Sequence, residues 1–194
     1  HHVFAIAGDG CLSEGISHEA ASLAGHLGLG KLVMIYDDNH ITIDGETDLA
    51  LSDDAAARFR SYGWHVLELG EVGEDLDALE AGLNEAKAVT DAPSLVIVRT
   101  IIGTPATESA DTHEAHGYAI LDEEIAATKA AMGMPVDETF HVPSDVLETY
   151  RAAGRRGGTE REAWEQRLAA FDGDRAALEA QLSGTGMPGW DEDL

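Results

Sequence analysis

The first residues able to do chemistry are Gly8-Asp9-Gly10, which directly follow the apolar run Val3-Phe4-Ala5-Ile6-Ala7. A second apolar run ends in Tyr36-Asp37-Asp38-Asn39 and brings more side-chain oxygens to the end of a second predicted strand. Magnesium and calcium take carboxylate, amide-carbonyl and backbone oxygens, and magnesium commonly keeps part of its shell for the phosphate oxygens of a ligand. Asp9 and Asn39 suit that need, with Asp37 and Asp38 as competing donors. Gly8 and Gly10 let the backbone turn sharply and approach an anion, and a helix beginning near Ser13 would offer its free N–H groups to a phosphate. The pattern predicts a metal–diphosphate site.

Further reactive side chains stand in Thr112-His113-Glu114-Ala115-His116-Gly117, inside a stretch from Ile101 to Leu121 that lacks periodicity. Long loops in compact domains are often functional, and an imidazole can move protons near neutral pH. Two histidines three apart could also begin a zinc site, but neither a cysteine nor a third histidine lies nearby at a ligand spacing. Glu14 and Glu19 are five positions apart on a predicted helix, so they do not share a face and read as solvated surface.

Positioning these groups requires strands and helices in alternation. Residues 3–8 read as a buried strand and 14–28 as a helix with apolar positions Ile16, Ala20, Leu23, Ala24 and Leu27, ended by Gly28 and Gly30. Residues 32–37 form a second strand, and a loop runs to about Leu51. Ser52-Asp53-Asp54 caps a short helix to about Ser61. A third strand spans 64–69, a helix 75–89 and a fourth strand 95–100. The pattern then turns helical over 122–132, with a short piece from Ser144. Gly154-Arg155-Arg156-Gly157-Gly158 is expected to break the chain before charged helices over 159–171 and 174–182, and 184–194 reads as linker. Buried strands alternating with helices predict an α/β fold, a parallel sheet flanked by helices on both faces. Ligands on such sheets bind beyond the carboxyl ends of the strands, where Asp9, Asn39 and Ile102 all fall.

The chain has 194 residues, 44% of them apolar, which argues for an ordered domain with a sizeable core. Its 37 acidic residues against 12 basic ones give a formal net charge of −25. Such a surface repels nucleic acid and anionic membrane, and its self-repulsion weakens the fold at low salt. Scarce lysine with abundant acid suits either a salt-rich cytoplasm or an acidic protein of a high-GC bacterium. Cys11 is the single cysteine, which excludes an intramolecular disulfide and agrees with a reducing, cytoplasmic compartment.

The run GDGCLSEGISHEAASLAG followed by LGKLVMIYDDNHITIDG resembles the diphosphate-binding domain of transketolases, which are thiamine-diphosphate enzymes. The likeness continues through Tyr62-Gly63-Trp64, Pro93-Ser94-Leu95, Thr100-Ile101-Ile102-Gly103 and His116-Gly117, and fades beyond about residue 150. It implies a thiamine-diphosphate-binding fold in which residues 1–150 form the diphosphate and metal side. Residues 151–194 would then be a helical extension and linker toward a pyrimidine-binding domain, which no segment here resembles. In transketolases the GDG strand lies in the middle of the first domain, so the chain reads as a partial domain, the C-terminal portion of the first domain of a longer or split protein.

Carried over residue by residue, the resemblance selects Asp9, Asn39 and the backbone oxygen of Ile41 for Mg2+ or Ca2+, and the N–H of Gly10, beside Gly8, for the diphosphate. Ile43 and Ile102 would pack against the cofactor's rings, although both also read as plain core residues. His116 would contact the diphosphate and the substrate, with His113 the weaker match. Glu14 and Glu19 would belong to a glutamate cluster at a dimer interface, where a carboxylate must share a proton. After His116 the sequence departs from the family, because Gly117-Tyr118-Ala119-Ile120 replaces a more usual small-residue and proline stretch.

The implied activity is transfer of a two-carbon ketol unit from a ketose phosphate to an aldose phosphate, with the cofactor as electron sink. The complete enzyme would be a homodimer in which a glutamate of the other subunit's pyrimidine-binding domain activates the cofactor. This chain alone is therefore expected to be catalytically incompetent. Other thiamine-diphosphate enzymes, namely 2-oxo acid dehydrogenase first components and deoxyxylulose-phosphate synthases, form one alternative. A non-catalytic cofactor-binding module forms another.

Overall fold

Four β-branched-rich runs pair side by side in the computed structural model, which describes residues 1–117, 120–187 and 189–192. They are β1 (Val3–Gly8), β2 (Leu32–Asp38), β5 (His65–Gly70) and β6 (Ser94–Arg99), all parallel, in the order β1-β2-β6-β5. Between them in sequence lies a small antiparallel hairpin, β3 (Ile41–Thr42) and β4 (Gly45–Glu46), with a turn of 3-10 helix at Thr47–Leu49. These occupy part of the segment expected to be loop. The register sets Gly8 opposite Asp37 and Asp38 opposite Arg99, so the carboxyl ends of three strands finish in step.

Side chains alternate across a strand, and here each parity has its own core. Leu32, Met34 and Tyr36 of β2 face the same side as Ala7 and Leu95, and pack there with Leu12, Ala21, Ala24, Phe59 and Trp64. Those partners come from α1 (Asp9–Ser13), α2 (Gly15–His26) and α3 (Ala55–Ser61), with Trp64 just before β5. Val33 and Ile35 face the other way, among Val96, Val98, Leu79, Leu83 and Ala86, the last three from α4 (Leu76–Ala88). Asp54 and Asp75 start α3 and α4 as N-caps, accepting from the N–H groups of Ala57 and Ala78 at 2.9 and 3.0 Å.

The α2 face sits unusually close to the chain that follows α3. A Cβ built on Gly25 would lie 1.8 Å from the carbonyl oxygen of Tyr62, so glycine alone permits the approach. Trp64 completes the seam: its indole N–H donates to the Ala21 carbonyl at 2.8 Å, and its ring meets Phe59 edge-on at 5.1 Å.

Three expectations need correction. The turn expected at Gly8–Gly10 is instead a short helix, α1, starting at Asp9 directly after β1, and Glu14, extended (φ −68°, ψ 138°), separates it from α2, which is the helix expected over 14–28. β1 is an edge strand and only Ala7 in it is buried, with Val3, Phe4 and Ile6 exposed at 61%, 49% and 76%. The break expected at Gly154–Gly158 is absent: α7 (Ser144–Ala169) runs through all three glycines. Each interior glycine costs about 1 kcal/mol relative to alanine, which ion pairs such as Glu148–Arg151 and Arg161–Glu165 help a 26-residue helix to absorb.

The boundary expected near residue 150 therefore falls inside a helix, and the chain divides instead into compact units His1–Asp137 and Glu138–Leu194. The first ends in α5 (Glu114–Gly117) and α6 (Asp122–Ala131). The second holds α7 and α8 (Arg175–Ser183), the latter capped by Asp174 and closed by Gly184 at φ +71°. Among the described residues no helix is long and apolar enough to cross a membrane.

Candidate metal and diphosphate site

Because β1 and β2 are adjacent, parallel and in register, whatever follows Gly8 must meet whatever follows Asp37. Asp9 is the first residue of α1, and Asn39 is the first residue beyond β2. Both are buried, at 4% and 7% exposure. One carboxylate oxygen of Asp9, Oδ2, accepts from the backbone N–H groups of Asn39 and His40 at 3.2 and 3.1 Å. The other, Oδ1, accepts from the Tyr36 hydroxyl at 2.6 Å. His40 takes a left-handed φ of +61° in the turn after β2, where its N–H reaches Asp9.

Asn39 is held just as closely. Its amide Nδ2 donates to Asp37 Oδ2 at 3.3 Å, which orients the amide group, and its Oδ1 accepts from the N–H of Ile41 at 3.0 Å. The hydroxyl of Thr100, at the end of β6, donates to the other oxygen of Asp37. Asp38 pairs with the His40 imidazole at 3.2 Å. The two carboxylates that competed with Asn39 in the sequence are thus engaged elsewhere, one of them in aligning Asn39.

Asp9, Asn39 and Ile41 therefore come together. Gly8 closes β1 next to them, and Gly10 is exposed in the first turn of α1, where an added Cβ would meet nothing within 4 Å. The nearest helix start is thus that of α1, and not one near Ser13. Ile43 is 60% exposed in the β3–β4 turn, and Ile102 is partly buried with its carbonyl accepting from Asp111 N–H at 2.9 Å. Glu14 and Glu19 are both exposed. His116 is exposed on α5, its N–H donating to the His113 carbonyl at 3.0 Å, and none of its hydrogen bonds among the described residues reaches the Asp9 cluster. Of the sequence departure after Gly117, Tyr118 and Ala119 lie outside the described residues.

Sequence reasoning missed the residues that hold this arrangement. Arg58 of α3 donates to Asp53 at 2.6 Å and to the Leu12 carbonyl at 3.2 Å, tying α1 down beside Asp9. Its other nitrogen neighbour is His18, which meets the Tyr62 hydroxyl at 3.1 Å. A cavity of about 260 Å³ opens beside Asp9, lined by Tyr36, Asp38, His40 and Arg58 among others. Burial above all, and then the hydrogen bond to Asp9, pushes the Tyr36 phenol well above its usual range. In the histidine loop, Glu124 of α6 accepts with one oxygen from Ser109 N–H, Ser109 Oγ and Glu108 N–H at 2.7, 2.9 and 2.9 Å. Those bonds, the Ser109 N–H first and the Glu108 N–H next, hold its carboxyl below the ordinary range. Only the register of the folded sheet, which pairs Ala7 with Tyr36, marks Tyr36. Nothing local marks Glu124.

The donor set fits a hard divalent cation. It offers one carboxylate and one amide, both buried and both held by neighbouring hydrogen bonds, with the Ile41 backbone adjoining and an unobstructed approach at Gly10 toward a phosphate.

Known proteins carry the same arrangement of chain. The family model described as transketolase, thiamine diphosphate binding domain, matches residues 1–187. A transketolase of Nostoc sp. is 45% identical over the whole of this chain, which covers 29% of that protein. A transketolase of Mycobacterium bovis is 43% identical, again over the whole chain and 28% of the relative. Among solved structures, transketolase from Leishmania mexicana superposes with a TM-score of 0.88 at 37% identity, covering all of this chain and 29% of that one. Transketolase from Pichia stipitis in complex with sedoheptulose-7-phosphate gives 0.86 at 38%, with the same coverage. The chain thus spans somewhat under a third of the length of the relatives it matches.

Proposed function

The chain belongs to the transketolase family, across the thiamine diphosphate binding domain, and we propose that it supplies the metal and diphosphate side of a ketol-transferring centre. The observation that carries this reading is the buried junction of Asp9 and Asn39 at the carboxyl ends of two adjacent parallel strands. Asp9 and Asn39 would hold Mg2+ or Ca2+ through their side-chain oxygens and Ile41 through its carbonyl, with the Gly10 N–H set against the diphosphate. Thiamine diphosphate, when bound, supplies the electron sink for breaking and remaking a carbon–carbon bond.

This chain's own part is to bind, orient and move protons. Ile43 and Ile102 give apolar surface to the cofactor's rings. His116 would pass a proton through an imidazole nitrogen at the substrate end, from a loop that Glu124 braces. Sugar phosphates are the substrates, as the complex with sedoheptulose-7-phosphate in the Pichia stipitis relative supports. Exposed Glu14 and Glu19 belong to the face that meets the second subunit of a homodimer. The helical second unit leads toward the pyrimidine-binding domain, and the work is done in the cytoplasm.

Calorimetric titration of a full-length transketolase carrying this chain, with Mg2+ and thiamine diphosphate, is the test. Tight binding that requires both is expected. Binding that persists in a chelator, or that is unchanged when thiamine replaces its diphosphate, refutes the reading. A coupled assay for ketol transfer from a ketose phosphate tests the activity.

A further inference from the structure

Asp9 needs more than burial to present a lone pair to a cation. Two backbone N–H groups hold Oδ2 at 3.2 and 3.1 Å, but both come from the one turn after β2, so with these alone the carboxylate can still pivot about that oxygen. The Tyr36 hydroxyl grips Oδ1 at 2.6 Å from a different element and fixes the plane of the group. Tyr36 can do this because its ring is anchored: it is 9% exposed and packed in the core with Ala7, Leu12 and Phe59.

We infer that Tyr36 is a positioning residue for the metal, orienting the Asp9 carboxylate by hydrogen-bond donation from outside the coordination sphere. The inference rests on the reading of Asp9 as a metal ligand. Partners that hydrogen-bond to a metal ligand fix its orientation, and losing one typically lowers metal affinity by about 10–100-fold. The hydroxyl also interacts with Asp38, which lines the same cavity, but its 2.6 Å bond is to Asp9, while Asp38 pairs with the His40 imidazole.

The test is Tyr36→Phe, which removes one oxygen and leaves the buried ring. In the full-length enzyme, Mg2+ is titrated calorimetrically at fixed thiamine diphosphate, and Mn2+ binding is followed separately by its electron-spin resonance. The dissociation constant for either metal should rise by about 10–100-fold, and cofactor binding should return when Mg2+ is raised in proportion. A purely structural role would lower the melting temperature of the metal-free protein without moving the metal constant, and that result overturns the inference. Asn39→Ala separates this failure from failure of the metal reading. If Asn39→Ala loses metal while Tyr36→Phe binds as wild type does, only the positioning role is overturned; if both bind as wild type, the metal site itself is. Tyr36→Leu, which also lacks the hydroxyl, gives the same decision should the phenylalanine variant fail to fold.

Discussion

Replacing Asp9 by alanine should produce two separable losses. The carboxylate accepts from three donors, and the bonds from Tyr36 and the Asn39 N–H are fully buried. A buried donor left without a partner costs about 1–3 kcal/mol, so two give roughly 2–6. The adjoining cavity lets water reach the vacated space, and removing a negative charge near Asp37 and Asp38 relieves repulsion. Both corrections favour the low end, about 2 kcal/mol. For a chain of this size that corresponds to a fall in melting temperature of about 4–8 °C. Melts of the 194-residue chain without metal measure this term. The second loss appears on adding ligand to the full-length enzyme. Wild type at a hundred times its dissociation constant gains about 2.7 kcal/mol, whereas Asp9→Ala should gain nothing. Asp9→Asn keeps the volume but not the charge, and should lose the ligand-dependent gain as well. If Asp9→Ala melts with the wild type and keeps its full stabilisation by metal and cofactor, the assignment of Asp9 fails.

Further outcomes follow from other parts of the molecule. His116→Ala in the full-length enzyme should leave the fold intact and lower the ketol-transfer rate by on the order of a hundredfold; wild-type turnover in steady-state kinetics would return His116 to ordinary surface. The Glu124 carboxyl is held below its usual range, so the brace on the histidine loop is in place at neutral pH and is lost as pH falls below the ordinary carboxylate range and through the lowered folded value. Proteolysis or hydrogen exchange of residues 101–117 should therefore increase on acidification, and Glu124→Ala should show that increase already at neutral pH. The net charge of −25 predicts a melting temperature that rises with salt; thermal scans at low and molar salt that coincide would contradict it.

The meeting of Asp9 and Asn39 was legible because it depends on short-range facts. Short continuous apolar runs located the strands, Gly8 and Gly10 marked a turn, and Asp9 and Asn39 fell at strand ends, so parallel pairing brought them together. What could not be read depends on partners distant in sequence. Tyr36 looks like one more core aromatic until the register pairs it with Ala7 and so aims it at Asp9. Arg58 reaches Leu12 across 46 positions, and Glu124 reaches Ser109 from a later helix. The helix over Gly154–Gly158 was missed because local propensity counts each glycine's cost but not the ion pairs spread along a 26-residue helix. The buried status expected of β1 failed because strand hydrophobicity does not reveal whether a strand lies at the edge or the centre of its sheet.

β1 passes into α1 with no residue between them, Gly8 ending the strand and Asp9 opening the helix. A helix turns by about 100° per residue, so one residue inserted at that joint would swing the carboxylate to another side of α1. The hairpin after Asn39 begins just as abruptly, at Ile41. The junction of Asp9 and Asn39 thus has no spare length in which insertions or deletions could accumulate. By contrast, the reach from Ile101 to His113 is long and irregular, and Glu124 of a later helix braces it. In this architecture, change in chain length has more room to act on the loop that carries His113 and His116 than on the junction of β1 and β2.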